Sequence, residues 1–439
     1  MHGDFSRFTF DPRNHFSRVL VQQGRVYLDS DENERTAITL HALRSVMRDL
    51  VGGHGIPDAA ETTTGFSISK GDAATPGFKI GAGRYYVNGI LCENGDAAAG
   101  YFNQPDYFMD STENPLPDFP YLIYIDVWER HTTFIDHPLL RETALGGPDT
   151  ASRAQVVWQV KALKPPAGFP DPPTPEAIAA EVQSRKATQR PLMHARVKPG
   201  DVSTTPSVMP PSNGYRGREN QLYRIEVHAG GPAGTATFKW SRDNGSVTFP
   251  ISAIGAGNVT VENLGLDATR TLVPGDWVEV LDDLVVLHGR AGMLARVVSV
   301  EESRQVGLAP AGPGSIADSV DQSRRPFLRR WDHRGASPSR GAVAIKESAD
   351  AGWLDIEDRI QVQFEPLADP DGAQYVTGDY WTIAARTATG GIEWPAVEGS
   401  PESLPPQGIE HSYAPLAKMA VAGLTGFRRI LTTTVTTGT

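Results

Sequence analysis

Glycine and proline punctuate this sequence throughout, 44 and 34 of them among 439 residues, and no collagen-like period orders them. Each tends to end a helix or bend a strand, so the chain must be built from many short elements joined by turns, the make-up of sheets and barrels. The remaining composition, 39% hydrophobic and 21% charged, is that of an ordinary globular protein able to bury large cores. A chain this long exceeds what one core organises, and roughly two to four domains are expected. The expected fold class is mainly β: several small β domains, with sandwich and SH3-like barrel elements, and one N-terminal helix of about 20 residues.

Along the chain, residues 1–60 read as a small hairpin followed by that helix. Val19-Leu20-Val21 and Val26-Tyr27-Leu28 flank a Gln22-Gln23-Gly24 turn. The helix is expected from about Asp31 to Val51, with Asp31 as N-cap, Glu34 in capping-box position and Gly52-Gly53 as the stop. Its apolar residues Leu40, Leu43, Met47 and Leu50 recur at helical spacing, a seam that either lies on the protein's own sheet or pairs with another helix as a docking or oligomer seam. Residues 61–164 carry period-two and continuous β runs, among them Arg84 to Val87, Tyr121 to Trp128 and Ala154 to Leu163. Six prolines between Pro165 and Pro175 mark a linker, and Thr174-Pro175-Glu176 then caps a short helix, together 165–190. Residues 191–270 form a second β region. There Asn244-Gly245 predicts a two-residue hairpin that sets Trp240 opposite Phe249 and Phe238 opposite Ile251, with Pro250 on an edge strand. Short strands at Val273 to Val280 and Met293 to Val300 suggest an SH3-like barrel over 271–315, and 316–439 is a C-terminal β region ending in a Thr-rich tail.

Charge and motifs exclude more than they assign. A net charge of −11 argues against nucleic acid as partner, and no apolar run is long enough to span a membrane. Cys92 is the single cysteine, in an apolar run, and reads as a buried small hydrophobe. No basic and apolar leader follows Met1-His2-Gly3-Asp4, so synthesis in the cytoplasm without a signal peptide is expected. Asp29, Asp31 and Asn33 imitate the opening of a calcium loop, but Glu34 stands where glycine is needed and Leu40 where the closing glutamate belongs. His131 and His137 flank a turn without the helical pairing of a zinc site, and Gly230 to Gly234 lacks the lysine of a phosphate loop. Asp282-Asp283, Glu301-Glu302 and Asp355 to Asp358 are the acid pairs that glycoside hydrolysis would need, yet adjacency does not set their separation. Eight tryptophans could offer sugar platforms, although most lie in core patterns. No catalytic residue, metal site or cofactor is expected.

Several runs together resemble an uncharacterised bacterial domain family associated with phage-tail-like contractile injection systems. They are Gly3-Asp4-Phe5-Ser6-Arg7, Gln23-Gly24-Arg25-Val26, Tyr124 to Arg130, Ala144 to Thr150, Phe238 to Gly245, Gly378 to Thr382 and His411 to Ala417. The opening Arg7 to Pro12, with Gly24-Arg25 and Asn33-Glu34, is also similar to the start of some phage tail proteins. The resemblance implies a non-enzymatic structural or attachment component of such a particle, a homo-oligomer whose partners are other injection-system or tail proteins. Cargo or a glycan-acting enzyme is the alternative, and a carbohydrate-binding adhesin, with glycan as partner, the third. It also implies a protein associated with, or released with, the particle.

Overall fold

The computed structural model describes residues 1–57, 64–72, 75–108, 115–187, 189–199, 214–265, 269–334, 340–348, 352–366 and 374–431. The expected tail beyond Leu431 lies outside them. The fold is mainly β, with several sheets, one closed barrel and few helices. The chain divides into two compact units: one is formed by 1–8, 133–152 and 186–408, the other by 9–132, 153–185 and 409–439.

The second of these units is a β-sandwich. One sheet runs in the order Ile430–Leu431, His54–Pro57, Gly83–Val87, Ile90–Asn94; the other runs Gly423–Gly426, Ser412–Ala420, Tyr121–Thr132, Arg153–Leu163. Tyr85, Val87 and Cys92 from the first sheet meet Ile123, Ile125, Val127, Trp158 and Leu416 from the second. Both faces of Tyr121–Thr132 are buried, because Leu122 and Tyr124 on its other side are covered by Ile178 of the helix Pro175–Ser184. Thr174 caps that helix by accepting from the Ala177 N–H, and Pro175 occupies the first turn, where its missing N–H costs nothing.

The N-terminal helix spans Asp29–Val51. Leu28 is its N-cap, and Asp31, three residues in, accepts from the Leu28 N–H at 3.2 Å, so the expected cap residue serves from inside the first turn. The expected hairpin before it is not formed. A turn closes from the Arg25 N–H to the Gln22 carbonyl, but no ladder joins the flanking runs, since a two-stranded ribbon with nothing covering its apolar face is marginal in water.

The other unit holds a sandwich and a barrel. Its five-stranded sheet is ordered Val343–Ala344, Thr237–Ser241, Gln221–Ala229, Tyr380–Arg386, Gly391–Glu393. A three-stranded sheet of Leu354–Asp355, Ile360–Glu365 and Leu192–Val197 covers one face of it through Phe238, Trp240, Phe364 and Trp381. The barrel closes six antiparallel strands, Thr248–Ile254, Asn258–Val261, Gln305–Pro310, Met293–Val300, Trp277–Leu281 and Phe327–Trp331.

The Asn244-Gly245 hairpin is corrected. Both residues have positive φ, 52° and 66°, and Ser246 N–H bonds the Asp243 carbonyl, so the predicted turn exists. The strands it joins do not pair with each other. Phe238 and Trp240 lie in the sandwich core, whereas Phe249 and Ile251 lie in the barrel core. Pro250 is not on an edge: its strand has neighbours on both sides, and the proline sits beside a bulge at Ile251 that absorbs the missing donor.

A true two-residue hairpin forms at Asn88-Gly89, which joins Gly83–Val87 to Ile90–Asn94 with φ of 50° and 78°. A Cβ on Gly89 would stand 2.5 Å from the Arg44 carbonyl oxygen, so this turn is the seat on which the N-terminal helix rests. Gly89→Ala is expected to destabilise the protein by about 1–3 kcal/mol through both backbone strain and that clash. Gly95→Ala, with open space around it, should shift the melting midpoint little.

Candidate functional site

Three constellations of polar or exposed apolar groups stand out. The first is a buried ionic layer in the unit that contains the barrel. On Gln221–Ala229 the residues Tyr223, Ile225 and Val227 enter the sandwich core, which turns Arg224, Glu226 and His228 to the opposite face. Lys239 is the direct cross-strand neighbour of Glu226 on that face. The barrel answers with Glu279 and Trp331, the outward residues of strands whose Val278, Val280 and Leu328 point inward. Lys239 Nζ lies 2.6 Å from Glu279 and 3.2 Å from Glu226, and 4.4 Å above the Trp331 ring, whose Nε1–H donates to Glu279 at 3.0 Å.

Every carboxylate oxygen in this layer is occupied. Glu226 also receives Arg224 at 2.5 Å and His2 at 3.0 Å, and Glu279 receives the Gly292 N–H at 3.0 Å. Burial pushes the Glu226 carboxyl up, but Arg224, Lys239 and His2 outweigh it and hold it well below the usual range. Burial raises Glu279 in the same way, and the charge and hydrogen bond of Lys239 overcome it. Burial drives His228 and His333 down to about 4, each with Lys239 adding to the effect. The two carboxylates are thus fully paired, while His228 Nδ1 and His333 Nδ1 beside them are buried without a hydrogen-bond partner among the described residues, and the layer serves as a structural joint between sheet and barrel.

The second constellation, in the sandwich unit, is centred on Asp126. Its buried carboxylate receives Lys161 at 2.7 Å and His411 Nδ1 at 2.6 Å, and His411 packs beside Trp128 and stacks on Tyr413. Burial opposes ionisation here too, but Lys161 and His411 bring the carboxyl to about 2.

Other residues singled out in the sequence are engaged structurally. Asp282 caps the helix Asp283–Leu287 through the Val285 N–H, and Asp283 binds Arg325 at 2.6 Å. Asp355 binds Lys198 and Gln361. Trp128, Trp158, Trp240, Trp331 and Trp381 are buried, and half-buried Trp353 is covered by the Arg196 guanidinium at 3.8 Å. Cys92 is buried and its thiol pushed up by burial. Among the described residues no group of three or more His, Cys, Asp or Glu is placed to hold a metal ion, and no helix is long and apolar enough to cross a membrane.

The third constellation is the N-terminal arm and helix. From Phe16 to Leu28 the chain forms neither helix nor strand, turns at Gln22–Arg25, and carries Phe16, Leu20, Val21, Val26, Tyr27 and Leu28 in the open, Val26 at 83% exposure. The helix is held from one side only. Ile38 and Val51 are buried, Arg44 donates twice to Glu129 at 2.7 and 3.2 Å, Thr9 donates to Glu34, and Phe10 packs on His41. The predicted seam falls on the free side: Leu40, Leu43 and Leu50 are exposed, Leu50 at 76%, Met47 is half-buried, and Val46 joins them. The hydrophobic periodicity found this stripe, but only the structure shows that the protein's own sheets do not cover it. A contiguous apolar surface of this kind marks an interaction site more often than an accident of folding.

The model of a family of unknown function, DUF6519, matches residues 1–168 and 174–430. No curated protein matches. No solved structure matches either.

Removing one partner from the ionic layer leaves a buried charge without compensation. Glu279→Gln is therefore expected to cost about 3–5 kcal/mol by chemical denaturation. The two buried histidines make a separate prediction. An unfolded imidazole takes its proton near 6.5, whereas His228 and His333 do so only at about 4. Between those values acid favours the unfolded state, so each histidine withdraws about 3 kcal/mol of stability as pH falls through that window and none above it. Imidazole nitrogen NMR should show both rings neutral at pH 5.5.

Proposed function

The chain is a member of the DUF6519 family, and on that premise we propose that it is a non-enzymatic structural or attachment component of a phage-tail-like contractile injection system, a baseplate, fibre or accessory part. One observation carries the reading: an apolar arm and helical stripe stand uncovered on an otherwise well-packed β scaffold. The two polar clusters support it from the other side, because their charges neutralise one another within the fold and are spent on holding strands together. In this reading the arm and helix dock the protein onto other tail or injection-system proteins, and the β modules form the displayed body.

The test is incorporation. Particles purified from cells making the intact chain should contain it, with density assignable to the two β units by electron microscopy. A Leu43→Asp, Leu50→Asp variant that still folds, judged by its circular dichroism, should be lost from the particles. Equal incorporation of that variant, or absence of the intact chain from every particle, would remove the proposal.

A further inference from the structure

The arm and helix differ in charge as sharply as they agree in hydrophobicity. From Pro12 to Leu28 the sequence holds Arg13, Arg18 and Arg25 with His15 and contains no Asp or Glu, and since Arg13 is paired with Asp11 at 2.7 Å, the arm's basic character rests on Arg18 and Arg25. The first turns of the helix hold Asp29, Asp31, Glu32 and Glu34. Arg18 and Arg25 are exposed and make no ion pair among the described residues. The acids take local donors: Asp31 the Leu28 N–H, Glu32 the Tyr27 hydroxyl and Arg35, and Glu34 the Thr9 hydroxyl. Each carboxylate has up to four acceptor sites and keeps room for a guanidinium. The arm leads directly into the helix, and among the described residues Arg18 and Arg25 form no ion pair with Asp31, Glu32 or Glu34 of the same chain, while the apolar stripe stays exposed.

We propose that a second copy of this chain covers this surface, the basic arm of one copy lying along the acidic first turns and the Leu40–Leu43–Leu50 stripe of the helix of the other, and reciprocally. Such an exchange is isologous, because the same two strips meet twice. Its size is adequate: the ten most exposed apolar side chains of arm and helix together offer on the order of 1,000 Å² per chain, against about 800 Å² per partner in an interface of standard size. The acidic helix disfavours an anionic lipid surface as the occupant, since the repulsion would fall beside the arm's attraction. This inference rests on the docking reading above and specifies the first partner that the surface meets.

The experiment is sedimentation velocity on the full chain over a wide concentration range, with charge-reversal variants. The intact chain should sediment as a dimer that dissociates on dilution, and more readily in high salt. Arg18→Glu with Arg25→Glu turns the arm net acidic like the helix, and Glu32→Lys with Glu34→Lys cancels the charge of Asp29 and Asp31 and sets two lysines on the helix against the basic arm. Each double variant alone should dimerise about tenfold or more weakly, and an equimolar mixture of the two should recover dimer, because each arm then finds an opposite helix. Circular dichroism of each variant confirms that the helix is retained. A strict monomer at all concentrations overturns the inference, as does a mixture that fails to recover. Failure here is separable from failure of the assembly reading: a monomer whose incorporation into particles still requires Leu43 and Leu50 sinks only the self-pairing. A dimer absent from every particle sinks only the assembly role.

Discussion

The joint made by Lys239 holds one half of this protein in its arrangement. Its ammonium is fully withdrawn from water, which is tolerable only because Glu279 and Glu226 lie within ion-pair distance and the Trp331 ring lies beneath it. Two of these three partners come from the barrel and one from the sheet. The lysine therefore ties two separately closed hydrophobic cores, one around Trp240 and Phe364 and one around Val280 and Leu328, into one compact unit. Asn244 extends the joint by donating to the Met1 and Gly3 carbonyls, which brings the first residues of the chain, and His2 with them, onto Glu226. A hydrophobic contact would stabilise the same junction without demanding a particular partner, whereas the buried ammonium of Lys239 is left uncompensated unless Glu226 and Glu279 reach it.

The sandwich unit solves a different problem, that of presenting a helix without burying it. Gly89 permits the helix backbone to rest on a hairpin tip, and the Arg44–Glu129 pair, Ile38 and Val51 fasten it along one side. Everything on the opposite side is left to solvent or to a partner. The helix is also charge-polarised, with acids in its first turns where the helix dipole favours them, and this same arrangement makes it complementary to the basic arm that precedes it. The features that stabilise the isolated helix and those that would recruit another molecule are thus the same residues.

Two Asn-Gly turns show where sequence reading succeeds and where it stops. Asn88-Gly89 and Asn244-Gly245 adopt the same pair of left-handed conformations, yet the first joins paired strands and the second joins strands that leave for different cores. The dipeptide specifies a chain reversal and nothing further. At Asn244 the flanking strands find better partners elsewhere: Thr237–Ser241 pairs with Gln221–Ala229, and Thr248–Ile254 pairs with Phe327–Trp331. Arg224, Glu226 and His228 carried a similar ambiguity. Alternation with Tyr223, Ile225 and Val227 has the signature of a half-exposed strand, but both faces are buried because Lys239 and Glu279 neutralise the polar one.

Taken alone, the sequence determined the mainly β character, the chain reversal at Asn244-Gly245, the N-terminal helix and its apolar seam, and the burial of Cys92, because each follows from residues a few positions apart. Only the tertiary structure decided which strands close the barrel, that the helical seam faces outward and that the charged strand faces inward. Those outcomes depend on segments up to hundreds of residues apart, such as His2 with Glu226 or Ile56 with Ile430. A local pattern can state that a side chain needs a partner of a given polarity, but it holds no information on which distant segment arrives to supply it.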